Sequence, residues 1–269
     1  MKNNASAKGL ALLSASPGSN KSLLGYGLAS RLSETGAKVL FIDLLPDPED
    51  LSIDTGHSGN FEDIMTCEMR YSDLVSSVEP GIDVLRGCTA GNLKIGEETL
   101  KRLAACISEC SRLYDSILIS APRGINPLAF LAAGACEEIV ITIDPEAPSI
   151  ASAYCLLKAL DAEGMGDKAI SIFCNVRSPD QAFSLKSKFD SLTARFLNIK
   201  LKDGGFACLQ QENGKDQSTE KHNYKRAAEF AKNARVDRLK LFQHETFKGN
   251  QPALTQIAIS RDDIKLDNH

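Results

Sequence analysis

Apolar residues fall along the chain in two kinds of block. Residues 9–14, 38–43, 82–85, 115–119, 138–143 and 169–175 are short runs dominated by Leu, Ile, Val and Ala. Runs of this length with little polar alternation predict strands buried on both faces. Between them, 22–34, 97–113, 126–134, 150–163 and 181–197 space their apolar residues as helices do. Gly36 follows the first of these helices where a left-handed residue ends a helix. Residues 44–60, with Asp47, Glu49, Asp50, Asp54 and two prolines, read as loop, and short helices are expected within 61–78. The β-α-β-α order predicts an α/β fold with a mostly parallel central sheet flanked by helices. Such a sheet binds ligands beyond the carboxyl ends of its strands. That rule directs attention to the loops starting at Ser14, Asp43, Ser120 and Asn175.

The pattern changes after Phe206. Residues 209–223 are polar, without apolar periodicity, and read as a linker. Residues 224–242 regain helical spacing through Phe230, Val236, Leu239 and Leu241, interleaved with six Lys and Arg residues. The chain is therefore divided into a domain over 1–208 and a linker with a helical tail over 209–269. A basic, partly amphipathic helix suits an anionic membrane surface. The alternative is a solvated helix packed on the domain.

With 269 residues, 43% of them hydrophobic, the chain can bury a core without disulfides or metal. The net charge of −4 argues against binding nucleic acid through bulk charge, so no specific nucleic-acid partner is expected. Eight scattered cysteines form no C-x-x-C pair and read as free, mostly buried thiols of a reducing compartment. The first eight residues lack an apolar signal stretch, and no run of about 18 apolar residues occurs. A cytoplasmic protein is expected.

Candidate chemistry begins at Ser14-Ala15-Ser16-Pro17-Gly18-Ser19-Asn20-Lys21-Ser22, which follows a predicted strand and opens a predicted helix. Backbone N–H groups and a helix N-terminus there can cradle phosphate oxygens. Pro17, Gly18, Ser19 and Asn20 would form the cradle, Lys21 would reach the β/γ phosphates, and the Ser22 hydroxyl would face Mg²⁺. Ala15 and Asn20 stand where the strict pattern G-x-x-x-x-G-K-[ST] has glycines. Asn tolerates the left-handed conformation better than most residues.

Four further segments extend this into a resemblance. Val39-Leu40-Phe41-Ile42-Asp43 resembles the second strand of the MinD/ParA family, ending in its aspartate. The stretch Tyr114-Asp115-Ser116-Ile117-Leu118-Ile119-Ser120-Ala121-Pro122-Arg123-Gly124-Ile125 resembles that family's Walker B strand and second switch. Pro145-Glu146-Ala147-Pro148-Ser149-Ile150-Ala151-Ser152-Ala153-Tyr154-Cys155-Leu156-Leu157-Lys158 resembles a segment typical of the FlhG subgroup, as does Asn175-Val176-Arg177-Ser178 with Ala194–Asn198. The match runs from about residue 8 to 206. The resemblance implies a P-loop fold that binds ATP or ADP with Mg²⁺, held by Ser22 and Asp43, with Asn175 and Arg177 beside the base. It further implies a homodimer, flagellar or secretion-system protein partners, and peripheral contact with the inner face of the membrane.

The departures from the family pattern bear on activity. Ser16 stands where the family has a lysine that reaches across the dimer, Leu45 where it has a second aspartate, and Ser120 where it has the Walker B aspartate. Phosphoryl transfer depends on positioned charge, so losing three such groups predicts weak or absent hydrolysis and no catalytic residue to name. The expected function is a MinD/FlhG-like regulator of flagellar, secretion-apparatus or polar placement that binds nucleotide without efficient turnover. The alternative is an active ATP-dependent dimerising switch on the membrane, favoured by Gly18, Lys21, Ser22 and Asp43. A third reading, a bacterial tyrosine kinase loop, is opposed by the lack of a C-terminal tyrosine cluster.

Overall fold

The computed structural model describes residues 7–16, 21–44, 75–87 and 96–207. Eight strands form one sheet: β1 (Lys8–Ser14), β2 (Val39–Asp43), β3 (Val75–Glu79), β4 (Ile82–Arg86), β5 (Ser116–Ser120), β6 (Glu138–Ile143), β7 (Ala169–Phe173) and β8 (Lys202–Phe206). Their order is β3-β4-β2-β5-β1-β6-β7-β8, with only the β3–β4 pair antiparallel. The helices are α1 (Lys21–Glu34), α2 (Glu97–Cys110), α3 (Pro127–Ala135), α4 (Ala147–Ala162) and α5 (Pro179–Leu197).

Alternating strand residues build two cores. Leu10, Leu12, Val39, Phe41, Leu118 and Val140 face α1, while Ala11, Leu13, Leu40, Ile42, Ile117, Ile119, Ile139 and Ile141 face the side of α2 to α5. The chain uses α1 when it moves from β1 toward β2, and the opposite layer when it moves from β4 through β5, β6 and β7 toward β8. A constant crossover hand requires this segregation. It places the switch of direction at β1, between β5 and β6.

Local chemistry accounts for the helix bounds. Glu97 and Glu98 occupy the first turn of α2 and pair with Lys101 and Arg102 one turn on. Asn126 caps α3 by accepting from the Ala129 N–H at 3.0 Å, with Pro127 at the first helical position. Ser178 caps α5 in the same way, accepting from Gln181 at 3.2 Å ahead of Pro179. Pro148 in the first turn of α4 and Pro179 at the start of α5 let these two helices begin earlier than the apolar spacing predicts.

Two expectations are corrected. The short helices expected through residue 78 give way from Val75 to strand β3, joined to β4 through Pro80 and Gly81 at φ 83°. Strand β8 was not expected at all. Both are edge strands, and an edge strand needs no continuous apolar run. Among the cysteines, Cys106, Cys110, Cys136 and Cys174 are buried as expected, but Cys155 is exposed. Residues 45–74, the linker at 209–223 and the helix expected at 224–242 lie outside the described residues.

Candidate nucleotide site

Strand parity decides what gathers at the carboxyl edge. Ser14, Asp43, Ser120 and Thr142 each lie two residues beyond a side chain packed on the α1 face. They belong to adjacent strands: Asp43 pairs with Ser120, and Ser14 with Thr142, the second pair standing two residues further along because Ser120 pairs with Leu12. All four are buried, and α1 begins above them.

Two glycines allow this closeness. A Cβ on Gly25 would lie 2.6 Å from Leu12 Cδ1 and 2.7 Å from Phe41 Cε2, so glycine there lets α1 sit directly on the sheet. A Cβ on Gly87 would overlap the backbone of Asp43 and Leu44, which fixes the carboxyl ends of β2 and β4 together. The Leu44 N–H then donates to the Ser120 carbonyl at 2.9 Å.

The first two residues of α1 converge on β5. Lys21 Nζ donates to Ser120 Oγ at 2.9 Å, and Ser22 Oγ lies 3.1 Å from the same oxygen. Lys21 is only 4% exposed and Ser120 is fully buried. An ammonium and two hydroxyls thus meet at the sheet edge, where strand register sets Asp43 level with Ser120. Pro17, Gly18, Ser19, Asn20 and Leu45 lie outside the described residues.

A second network lies across β1, β6 and β7. Ser16 Oγ and Ser149 Oγ are 2.7 Å apart, Ser149 Oγ accepts from the Asp144 N–H at 3.0 Å, and Asn175 Nδ2 donates to Asp144 Oδ1 at 2.6 Å. Asn175 is held at φ 55°, in the left-handed region that Asn tolerates best among residues with a Cβ. Burial pushes the Asp144 carboxyl above the usual range. The bond from Asn175 opposes this, and the charge of Glu146 adds to it.

The structure thus joins Lys21 and Ser22 to Ser120, sets Asp43 beside them, and places Asn175 in a separate network. Arg177 joins neither through its backbone, whose N–H donates to Gln181 Oε1 at 2.7 Å, and its side chain is exposed. Sequence reasoning missed Asp144 and Ser149. The signal was an acid followed by proline at the end of β6, a fifth carboxyl-edge loop that the ligand rule should have included. Among the described residues no His/Cys/Asp/Glu group is arranged to hold a metal by itself, and no helix is long and apolar enough to cross a membrane.

A doubly wound sheet whose first strand leads to a helix opening with Lys-Ser defines the P-loop class of α/β proteins. Within that class the chain has a MinD/ParA-like fold, as solved structures establish. The MinD cell division protein of Aquifex aeolicus superposes with a TM-score of 0.64 at 16% identity, covering 91% of this chain and 100% of that one. A ParA family ATPase from Chlorobium tepidum gives 0.63 at 17% identity, covering 90% and 99%. The septum site-determining protein MinD of Pyrococcus horikoshii, complexed with Mg-ADP, gives 0.59 at 17%, covering 89% and 100%. No family model matches the sequence, and no match is found among curated proteins.

Proposed function

We propose that this chain is a MinD/FlhG-like regulator that binds ATP or ADP with Mg²⁺ and turns it over weakly or not at all. The observation that carries the reading is the convergence of Lys21 and Ser22 on the neutral hydroxyl of Ser120. The residue types fit a magnesium nucleotide in part. Lys21 supplies a cation for phosphate oxygens, while Ser22 and Asp43 supply hard oxygen donors. When bound, Mg²⁺ would neutralise phosphate charge. Ser120 can exchange hydrogen bonds but cannot add the negative charge that a carboxylate would contribute to holding the ion. Lys21 and the start of α1 would then bind and orient phosphate without completing the charge arrangement that hydrolysis needs.

Strand spacing supports a base-side role for Asn175. It follows β7, two strands from β1, which is about 10 Å across the sheet at ~4.8 Å per strand. A ribose and one phosphate bridge a gap of that order. Arg177, on the same loop, belongs to the outer part of this proposed subsite.

The domain is taken as 1–208, with 209–269 as linker and tail. The partners proposed are a second copy of the chain, flagellar or secretion-system proteins, and the inner membrane face reached through the basic tail. The MinD solved in complex with MinC lends support to a protein partner. An active ATP switch is the second reading, favoured by the presence of Lys21, Ser22 and Asp43 together at one edge.

Calorimetry with Mg-ATP beside a phosphate-release assay tests the choice. Binding without release is expected. Measurable turnover would put the switch reading first, and neither binding nor release would leave a protein scaffold. Deleting 223–269 is expected to release the protein from anionic vesicles; an intact chain that never binds them removes the membrane proposal.

A further inference from the structure

We infer that Asp144 is a positioning residue that makes the site selective for adenine by fixing which way the Asn175 amide faces. The inference rests on the reading above, that a nucleotide lies across this edge with its base toward Asn175.

The geometry holds both residues firmly. Asp144 directly follows β6 and Asn175 lies one residue beyond Cys174, whose N–H donates to the Ile143 carbonyl at 2.8 Å. The ends of β6 and β7 are therefore tied together where the two side chains meet. Asp144 is 5% exposed, and its own N–H is anchored on Ser149, which in turn contacts Ser16 at the start of the phosphate loop. The network consequently spans from the phosphate side to the base side of the edge.

The chemistry dictates the amide orientation. An ionised carboxylate accepts hydrogen bonds and donates none, so the Asn175 group turned toward Asp144 must be its NH₂. A flipped amide would set carbonyl lone pairs against a buried carboxylate. With the NH₂ held by Asp144, the Asn175 carbonyl faces the other way, as an acceptor. Adenine carries an amino donor at the position where guanine carries the O6 acceptor. The locked amide therefore matches adenine and opposes guanine. Asp144 acts through Asn175 without touching the base.

The test measures binding of ATP, GTP and tripolyphosphate, each with Mg²⁺ at pH 8, to the full chain and to Asp144→Asn and Asn175→Ala. Asp144→Asn replaces the acceptor-only carboxylate with a group that tolerates either amide orientation. The intact chain is expected to favour ATP over GTP by on the order of tenfold, the scale of one good base contact. Both variants are expected to bring that ratio close to one while tripolyphosphate affinity stays within about twofold. Should Asp144→Asn fail to fold, Asn175→Ala still decides, because an undiminished adenine preference in it overturns the inference. An unchanged ATP/GTP ratio in a folded Asp144→Asn overturns it too. An intact chain that binds ATP and GTP equally removes the inference and leaves the nucleotide reading standing. Failure to bind any of the three ligands removes both.

Discussion

Lys21, Ser22 and Ser120 concentrate the chemistry in three side chains. Lys21 Nζ reaches Ser120 Oγ while almost wholly buried, so its cation sits where water cannot screen it well. Lys21→Ala is accordingly expected to abolish nucleotide binding, and calorimetry with unchanged affinity would remove the phosphate-loop assignment. Ser120→Asp has the opposite sense. It sets a carboxylate against Lys21 and Ser22, and is expected to tighten Mg²⁺-dependent nucleotide binding by ~10-fold or more, the scale of one charge-assisted contact. Equal affinities with and without Mg²⁺ in that variant would mean that Ser120 is not what limits the metal. Lys21, Ser22 and Asp43 could be picked out beforehand because each stands at a strand end or helix start readable from apolar blocks. Asp144 and Ser149 could not. Their meeting with Asn175 and Ser16 joins residues more than 30 positions apart in one case and 133 in the other, and no local pattern encodes it.

Among the elements, α1 governs the site. Its ten buried residues run almost all round the helix, so it carries no polar stripe from which to read which face meets the sheet. Gly25 settles that question through close approach to Leu12 and Phe41. Gly25→Ala gains helix propensity of about 1 kcal/mol but overpacks the interface, which typically costs 1–3 kcal/mol. A net loss of about 1 kcal/mol in urea unfolding is expected, with weaker nucleotide binding because the start of α1 is pushed off β5. Unfolding at an unchanged midpoint would mean that the sheet yields to the methyl group. The central strands were legible because burial on both faces demands unbroken apolar runs. The edge strands β3 and β8 were not: three of the five residues of Val75–Glu79 are polar and Lys202–Phe206 contains two glycines, and hydrogen bonding to a neighbour already in place is what makes them strands.

At the scale of the whole molecule, the two ends of the sheet have separate jobs. The carboxyl edge gathers the candidate site, while the amino edge is tied together by Glu137, whose carboxylate accepts from the Gly9 N–H. Burial raises the Glu137 carboxyl above its ordinary value, against the opposing pull of the Gly9 bond and Lys168. A carboxyl raised in the folded state binds its proton more tightly there than in the unfolded chain. Its contribution to stability is therefore greatest below the unfolded value of about 4.3 and is lost as pH rises toward the folded one. Glu137→Gln should remove that loss. The variant's stability relative to the parent is expected to be higher at pH 7 than at pH 4 in denaturant titrations, and a difference independent of pH would contradict the assignment.

The order of blocks along the chain was enough to determine a mostly parallel α/β sheet, its central strands, most of its helices and the place where a helix opening with Lys21 and Ser22 follows the first strand, because burial on both faces and helical spacing are local requirements written in consecutive residues. Tertiary structure alone decided that Ser120 stands against Lys21 and Ser22, that β3 and β8 are strands, and that Asp144 holds the Asn175 amide. Each of these depends on which strands become neighbours and in what register, and that is settled by packing between segments far apart in the chain.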